Sequence, residues 1–251
     1  MKIGIWLVRE EAEMLGGFLA KHLPGEISRP WRKTEQSGKA QFEQAFNEFN
    51  HWVLVMATGI AVRYLEGLPQ NKKTDPAVVV LDEGARYAVS LLSGHEGGAN
   101  LLAYRVANLT GALPVITTAS ETCRPLIVGI GCRKGIDADQ IQKAVSQALQ
   151  QINRPLEDVR EIATIDLKGE EPGLLEWCTR HHFALHTIKQ ELLAKRPWVS
   201  KTSAWVQKNI GVEGVCEPAA LLASVRGELI LEKMALNGVT VAIVEDPVWK
   251  E

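Results

Sequence analysis

The run Ala77-Val78-Val79-Val80-Leu81 constrains the fold of this chain more than any other segment. It is apolar throughout and rich in β-branched residues, which makes it a good strand buried on both faces. Such a strand needs helices on both sides of its sheet. The flanking sequence supplies them. Strand signals over Lys2 to Val8, Trp52 to Ala57 and Tyr87 to Leu92 alternate with helical spacing over Glu10 to His22, Gln41 to Phe49, Ile60 to Leu68 and Ala99 to Thr110. Gly25 to Gly38 reads as polar and irregular, and Pro114 to Thr117 as a closing strand. The pattern restarts after Thr122 to Pro125. Strands are expected over Leu126 to Ile130, Val159 to Ile165 and Ala184 to Ile188, and helices over Ala138 to Gln151, Pro172 to His181, Gln190 to Ala194 and Pro218 to Ser224. Leu229 to Glu232 and Val239 to Val244 read as a hairpin around Asn237-Gly238. The expectation is an α/β protein of two consecutive α/β domains, residues 1–122 and 123–251, each a mostly parallel sheet flanked by helices.

Composition narrows the function. A net charge of −2 offers no basic excess to neutralise phosphates, which argues against nucleic acid as a partner. No apolar run reaches membrane-spanning length, and Met1 to Trp6 is too short for a secretory leader. The expected location is the cytoplasm. Cys123, Cys132, Cys178 and Cys216 are far apart and form no metal-binding or redox pair, so free thiols are expected.

One segment carries chemistry. Ser93-Gly94-His95-Glu96-Gly97-Gly98-Ala99-Asn100 puts an imidazole on a glycine-rich turn at the start of a helix. Glycine lets backbone approach a ligand, and a helix start offers unpaired N–H groups. His95 beside such an array is the minimum equipment for attack on a carbonyl: a general base, with N–H groups near Gly97, Gly98 and Ala99 for the oxyanion. A structural histidine in a tight turn is the competing role. Ser93 reads first as a cap for the next helix, Asn100 as a carboxylate contact or cap, and Glu96 as a solvated side chain.

Thr58-Gly59 places a second glycine turn at the end of a strand, where open α/β sheets bind ligands. Arg63, one turn on, fits either a substrate carboxylate or plain solvent. Lys72-Lys73 reads as a solvated loop. Gly129-Ile130-Gly131-Cys132-Arg133-Lys134-Gly135 has the wrong spacing for a dinucleotide fingerprint, but Gly131, Arg133 and Lys134 suit a carboxylate-binding loop. Cys132 reads as packed rather than nucleophilic. Asp166 and Lys168 at a strand end, Glu170-Glu171 before Pro172, and Glu217 before Pro218 are possible cleft lining, although the helix dipole alone explains acidic residues at helix starts. His181, His182 and His186 read as an exposed helix end rather than a metal site.

Several motifs occur in an order that resembles one family. Ala57-Thr58-Gly59-Ile60-Ala61-Val62-Arg63, Lys73-Thr74-Asp75-Pro76 running into Leu81-Asp82-Glu83, Ser90-Leu91-Leu92-Ser93-Gly94-His95, Gly97-Gly98-Ala99-Asn100 and Pro114-Val115-Ile116-Thr117-Thr118-Ala119 are similar to the N-terminal half of the CbiG family of cobalt-precorrin-5A hydrolases. Val128-Gly129-Ile130-Gly131-Cys132-Arg133, Ala163 to Lys168, Glu171-Pro172-Gly173-Leu174 and Val215 to Ala220 resemble the family's C-terminal domain. The family's usual middle segment is missing between Glu121 and Leu126. The resemblance implies hydrolysis of the ring A δ-lactone of a cobalt-bearing tetrapyrrole, with release of acetaldehyde, in anaerobic cobalamin biosynthesis. It implies cobalt carried by the substrate, no resident metal or cofactor, and other pathway enzymes as partners. A non-catalytic corrinoid-binding protein or accessory subunit is the alternative.

Overall fold

The computed structural model describes residues 2–32, 35–195, 207–208, 214–224 and 226–248. The chain divides into two compact units, Met1–Thr118 and Ala119–Glu251.

In the first unit the chain runs through β1 (Ile3–Leu7), α1 (Glu13–His22), β2 (Gly25–Ser28), α2 (Gly38–Ala45), β3 (His51–Val55), α3 (Thr58–Tyr64), β4 (Ala77–Leu81), β5 (Tyr87–Leu92), α4 (Ala99–Thr110) and β6 (Leu113–Val115). The sheet order is β2-β1-β3-β4-β5-β6. The first four strands are mutually parallel. β5 reverses, pairing antiparallel with β4, and β6 runs parallel to β5.

Alternate residues of the central strands enter different cores. Ile3, Ile5, Leu7, Val53, Val55, Val79 and Leu81 pack with Leu19 of α1 and with Leu102, Ala103 and Val106 of α4. Trp6, Trp52, Leu54, Val78 and Val80 pack on the other face with Phe42 of α2 and Phe46. Each fully buried Leu, Val or Phe contributes about 1.5–3 kcal/mol. Both faces of Ala77–Leu81 are thus covered, as its composition demands.

Gly25–Ser28 is the first departure from the expected pattern. It forms an edge strand parallel to β1, where the stretch Gly25 to Gly38 reads as irregular. Ile27 is its only large apolar residue, so the segment carries no pattern and is ordered by pairing with β1. Residues 33–34 of that stretch lie outside the described residues. The closing strand falls on Leu113–Val115, with Pro114 tolerated because β6 is at the sheet edge.

The second unit comprises α5 (Ala119–Thr122), β7 (Leu126–Cys132), α6 (Ala138–Gln151), β8 (Val159–Ile165), α7 (Pro172–Arg180), β9 (Ala184–Ile188), α8 (Gln190–Lys195), α9 (Cys216–Ala223), β10 (Glu228–Leu236) and β11 (Val239–Glu245). The order is β10-β11-β7-β8-β9, with β7, β8 and β9 parallel and the β10–β11 hairpin antiparallel. The hairpin turn has positive φ at both Asn237 and Gly238, as a two-residue type I′ turn requires. A reciprocal Asp137–Gln140 capping box starts α6. The architecture is α/β, two mostly parallel sheets flanked by helices. Among the described residues no helix is long and apolar enough to cross a membrane.

Candidate active site

The glycine-rich turn follows β5, and the reversal of β5 decides where it lies. Leu92 pairs with Val78, so the chain leaves β5 beside the beginnings of β4 and β3. Ser93 takes a left-handed conformation and its hydroxyl donates to the Asp75 carbonyl at 3.1 Å. Its own carbonyl accepts from the Ala99 N–H at 3.2 Å, and the Gly94 carbonyl from the Asn100 N–H at 3.0 Å. The turn therefore closes on itself. A Cβ at Gly97 would lie 2.4 Å from Ser93 Cβ, and Gly98, the residue before α4, has φ +87°. Both positions need glycine.

This geometry corrects two readings. Ser93 caps the helix with its carbonyl, not its side chain, because the hydroxyl is spent on Asp75. The Ala99 N–H is taken by Ser93, which removes it from the oxyanion donors. The Gly97 and Gly98 N–H groups have no acceptor among the described residues. His95 is exposed on the turn. Beside it, the Glu96 carboxylate accepts from the Lys72 ammonium at 2.7 Å, and that bond holds Glu96 below the usual carboxylate range.

Asn100 is also used differently. It is 5% exposed, its Oδ1 accepts from the Ser90 hydroxyl at 2.7 Å, and its Nδ2 donates to Thr118 Oγ1 at 2.8 Å. It ties β5, α4 and the segment after β6 together, where a substrate carboxylate or a cap was expected. Gly94 packs against the same two residues, Thr118 and Asn100.

Sequence reading missed His51. It is the first residue of β3, at the sheet edge where the turn emerges, and its Nε2 lies 3.6 Å from where a Cβ on Gly98 would sit. Its Nδ1 is buried with no hydrogen-bond partner among the described residues. Burial pushes this imidazole below its ordinary value, and the Arg105 guanidinium adds to the shift. No local motif flags His51, because the strand pairing alone brings it to the turn.

Thr58, Gly59 and Arg63 are not brought to this turn. They follow β3 at its opposite end, so about 16 Å of strand separates them from the His51 edge. Thr58 and Gly59 are exposed, and Arg63 is an exposed cation with no ion pair to a described residue.

In the second unit, Gly131 lies buried within β7 and not in a loop. A Cβ there would meet Thr240 Oγ1 at 2.6 Å, and one at Gly129 would meet the Cys216 carbonyl at 1.8 Å. These glycines admit the start of α9 onto the sheet, so Gly131 is a packing residue rather than a ligand contact. Glu217 is fully buried and accepts from the Lys233 backbone N–H at 2.9 Å, which removes it from any cleft lining. Arg133 and Lys134 remain exposed after β7. Glu171 accepts from the Gly135 N–H at 2.7 Å and from Lys168 at 3.1 Å. Burial pushes the Glu171 carboxyl up, but those two bonds outweigh burial and hold it below the usual carboxylate range. His186 is buried in β9, 3.3 Å from Glu161 Oε2, and is not part of a helix end. Burial pushes the Cys132 and Cys216 thiols up to about 11 and Cys178 to about 12, so all three stay protonated at neutral pH.

Residues 40–121 match the family model for the cobalamin synthesis G N-terminal domain, and residues 126–244 match that for the cobalamin synthesis G C-terminus. The chain belongs to the CbiG family. The CbiG N-terminal match contains the whole Ser93–Asn100 turn and His51. Cobalt-precorrin-5A hydrolase of Salmonella typhimurium is 26% identical over 80% of this chain and 83% of its own length. The enzyme of the same name from Priestia megaterium is 25% identical over 80% of each. The Salmonella alignment spans 292 positions, more than the 251 residues of this chain, so that relative carries residues with no counterpart here. The crystal structure of CobE, a protein from the cobalamin biosynthetic pathway, is 27% identical with a TM-score of 0.47, covering 50% of this chain and 93% of that one.

Proposed function

We propose that this CbiG-family chain is a cobalt-precorrin-5A hydrolase that opens the ring A δ-lactone and releases acetaldehyde to give cobalt-precorrin-5B. The observation that carries the reading is the match of both CbiG models, supported by hydrolases related over about four-fifths of both chains. The turn has the parts the reaction needs. His95, exposed on its surface, accepts a proton from the attacking water, and the Gly97 and Gly98 N–H groups face the oxygen that gains charge. A carbon–oxygen bond forms from water to the carbonyl carbon, and the ester carbon–oxygen bond breaks as the oxyanion collapses. The freed hydroxyl loses its proton and its oxygen becomes that of acetaldehyde as the bond from the extruded carbon to the macrocycle breaks; the macrocycle keeps that electron pair and takes up a proton.

Cobalt enters with the substrate, and the reading assigns the protein no resident cofactor. It places the reaction in the cytoplasm alongside the other enzymes of the pathway. Incubation with cobalt-precorrin-5A and measurement of acetaldehyde tests the proposal. Release at enzymatic rates is expected. Tight binding without acetaldehyde would make the chain a corrinoid-binding protein instead.

A further inference from the structure

The hydrolase reading leaves one well-placed group unused. His51 stands at the start of β3, and the register His51↔Ala77 puts it next to β4, where Asp75, two residues before the strand, accepts from the Ser93 hydroxyl. The turn is thus built over His51. Its Nε2 approaches Gly98, a position where the backbone demands glycine and no side chain intervenes. Its Nδ1 is buried and finds no hydrogen-bond partner among the described residues.

That asymmetry selects a tautomer. A buried N–H with no acceptor costs more than a buried lone pair with no donor. The neutral imidazole therefore carries its proton on Nε2, where it points to the turn. His95 differs in every respect: it is exposed, and it sits on the turn itself rather than beneath it.

We propose that His51 is a second catalytic imidazole, an uncharged hydrogen-bond donor whose Nε2–H joins the Gly97 and Gly98 N–H groups in holding the lactone carbonyl oxygen as it becomes an oxyanion. The inference rests on the lactone-hydrolysis reading. His95 takes the proton of the attacking water, and the carbonyl π pair moves onto oxygen, where the His51 donor meets it. His51 gains and loses no proton. Two imidazoles in contrasting environments would thus divide the base and donor roles, a familiar way of running acid and base chemistry at one pH. Burial and the nearby Arg105 guanidinium favour the uncharged form of His51.

The test uses the full chain with cobalt-precorrin-5A. His51→Ala should lower kcat for acetaldehyde release by about 10²–10³-fold, the usual effect of losing one oxyanion donor, with KM little changed. His51→Phe keeps a ring in the space without the donor and should show the same loss with an unaltered melting temperature. This variant serves if His51→Ala fails to fold. Turnover by a folded variant equal to wild type, or an effect on KM alone, overturns the proposal. A wild-type chain that releases no acetaldehyde defeats the hydrolase reading, and long-range ¹H–¹⁵N NMR then judges His51 alone. A neutral Nε2–H imidazole at pH 7 is expected. A charged ring or an Nδ1–H tautomer overturns the assignment whatever the activity.

Discussion

The two glycine-rich segments look alike in sequence and serve opposite ends. Each reads as the exit from a strand and carries a basic or titratable side chain. Ser93–Asn100 leaves its sheet as a turn, with His95 exposed and the Gly97 and Gly98 N–H groups unspent. Gly129 and Gly131 never leave the sheet, and the space above them is filled by the start of α9. Glycine marks a place where something comes close. In the first unit the turn comes close to itself and leaves donors open to a ligand. In the second the visitor is the protein's own helix.

Substitutions can break this comparison, and the largest effect belongs to the packed glycine. Gly129→Ala drives a Cβ to 1.8 Å from the Cys216 carbonyl, a backbone atom that cannot swing away. We expect a loss of about 3 kcal/mol or more in urea unfolding, at the upper end of overpacking costs. Unchanged stability would mean that α9 does not sit on β7 as described. His95→Ala should do the reverse, lowering kcat by about 10²–10⁴-fold while the melting temperature holds. Undiminished turnover would remove His95 from the chemistry and make the turn a structural feature like its counterpart.

Asn100→Ala tests the scaffold under the turn. It removes the acceptor of the buried Ser90 hydroxyl and the bond to Thr118, and should cost about 1–3 kcal/mol of stability in denaturant titration. A rise in KM without loss of stability would instead return Asn100 to substrate binding. Gly59→Ala is the smallest. Nothing lies within 4 Å of the added Cβ, and alanine suits a helix better, so stability should rise by about 0.5–1 kcal/mol. A fall in kcat/KM for acetaldehyde release would show that the far end of β3 also meets the substrate.

Much of this was legible from residue order. Ala77–Leu81 and Ala99–Thr110 fall where composition and spacing put them, because long apolar or amphipathic runs overwhelm local alternatives. β2 was not legible, since a four-residue edge strand with one large apolar side chain owes its form to its neighbour. Within the candidate site, the turn could be read because its glycines and histidine are contiguous. His51 could not, because it stands far from the turn in sequence.

The sequence by itself determined the α/β class, the family and the turn with His95, since these depend on local propensity and on contiguous motifs. Tertiary structure decided which residues share an end of a sheet. The antiparallel pairing of β5 with β4 brought the turn to His51 and put Thr58, Gly59 and Arg63 at the opposite edge. The docking of α9 made Gly131 and Glu217 interior residues. Strand direction and helix docking come from pairing and burial summed over distant segments, and a single stretch of residues holds no record of either.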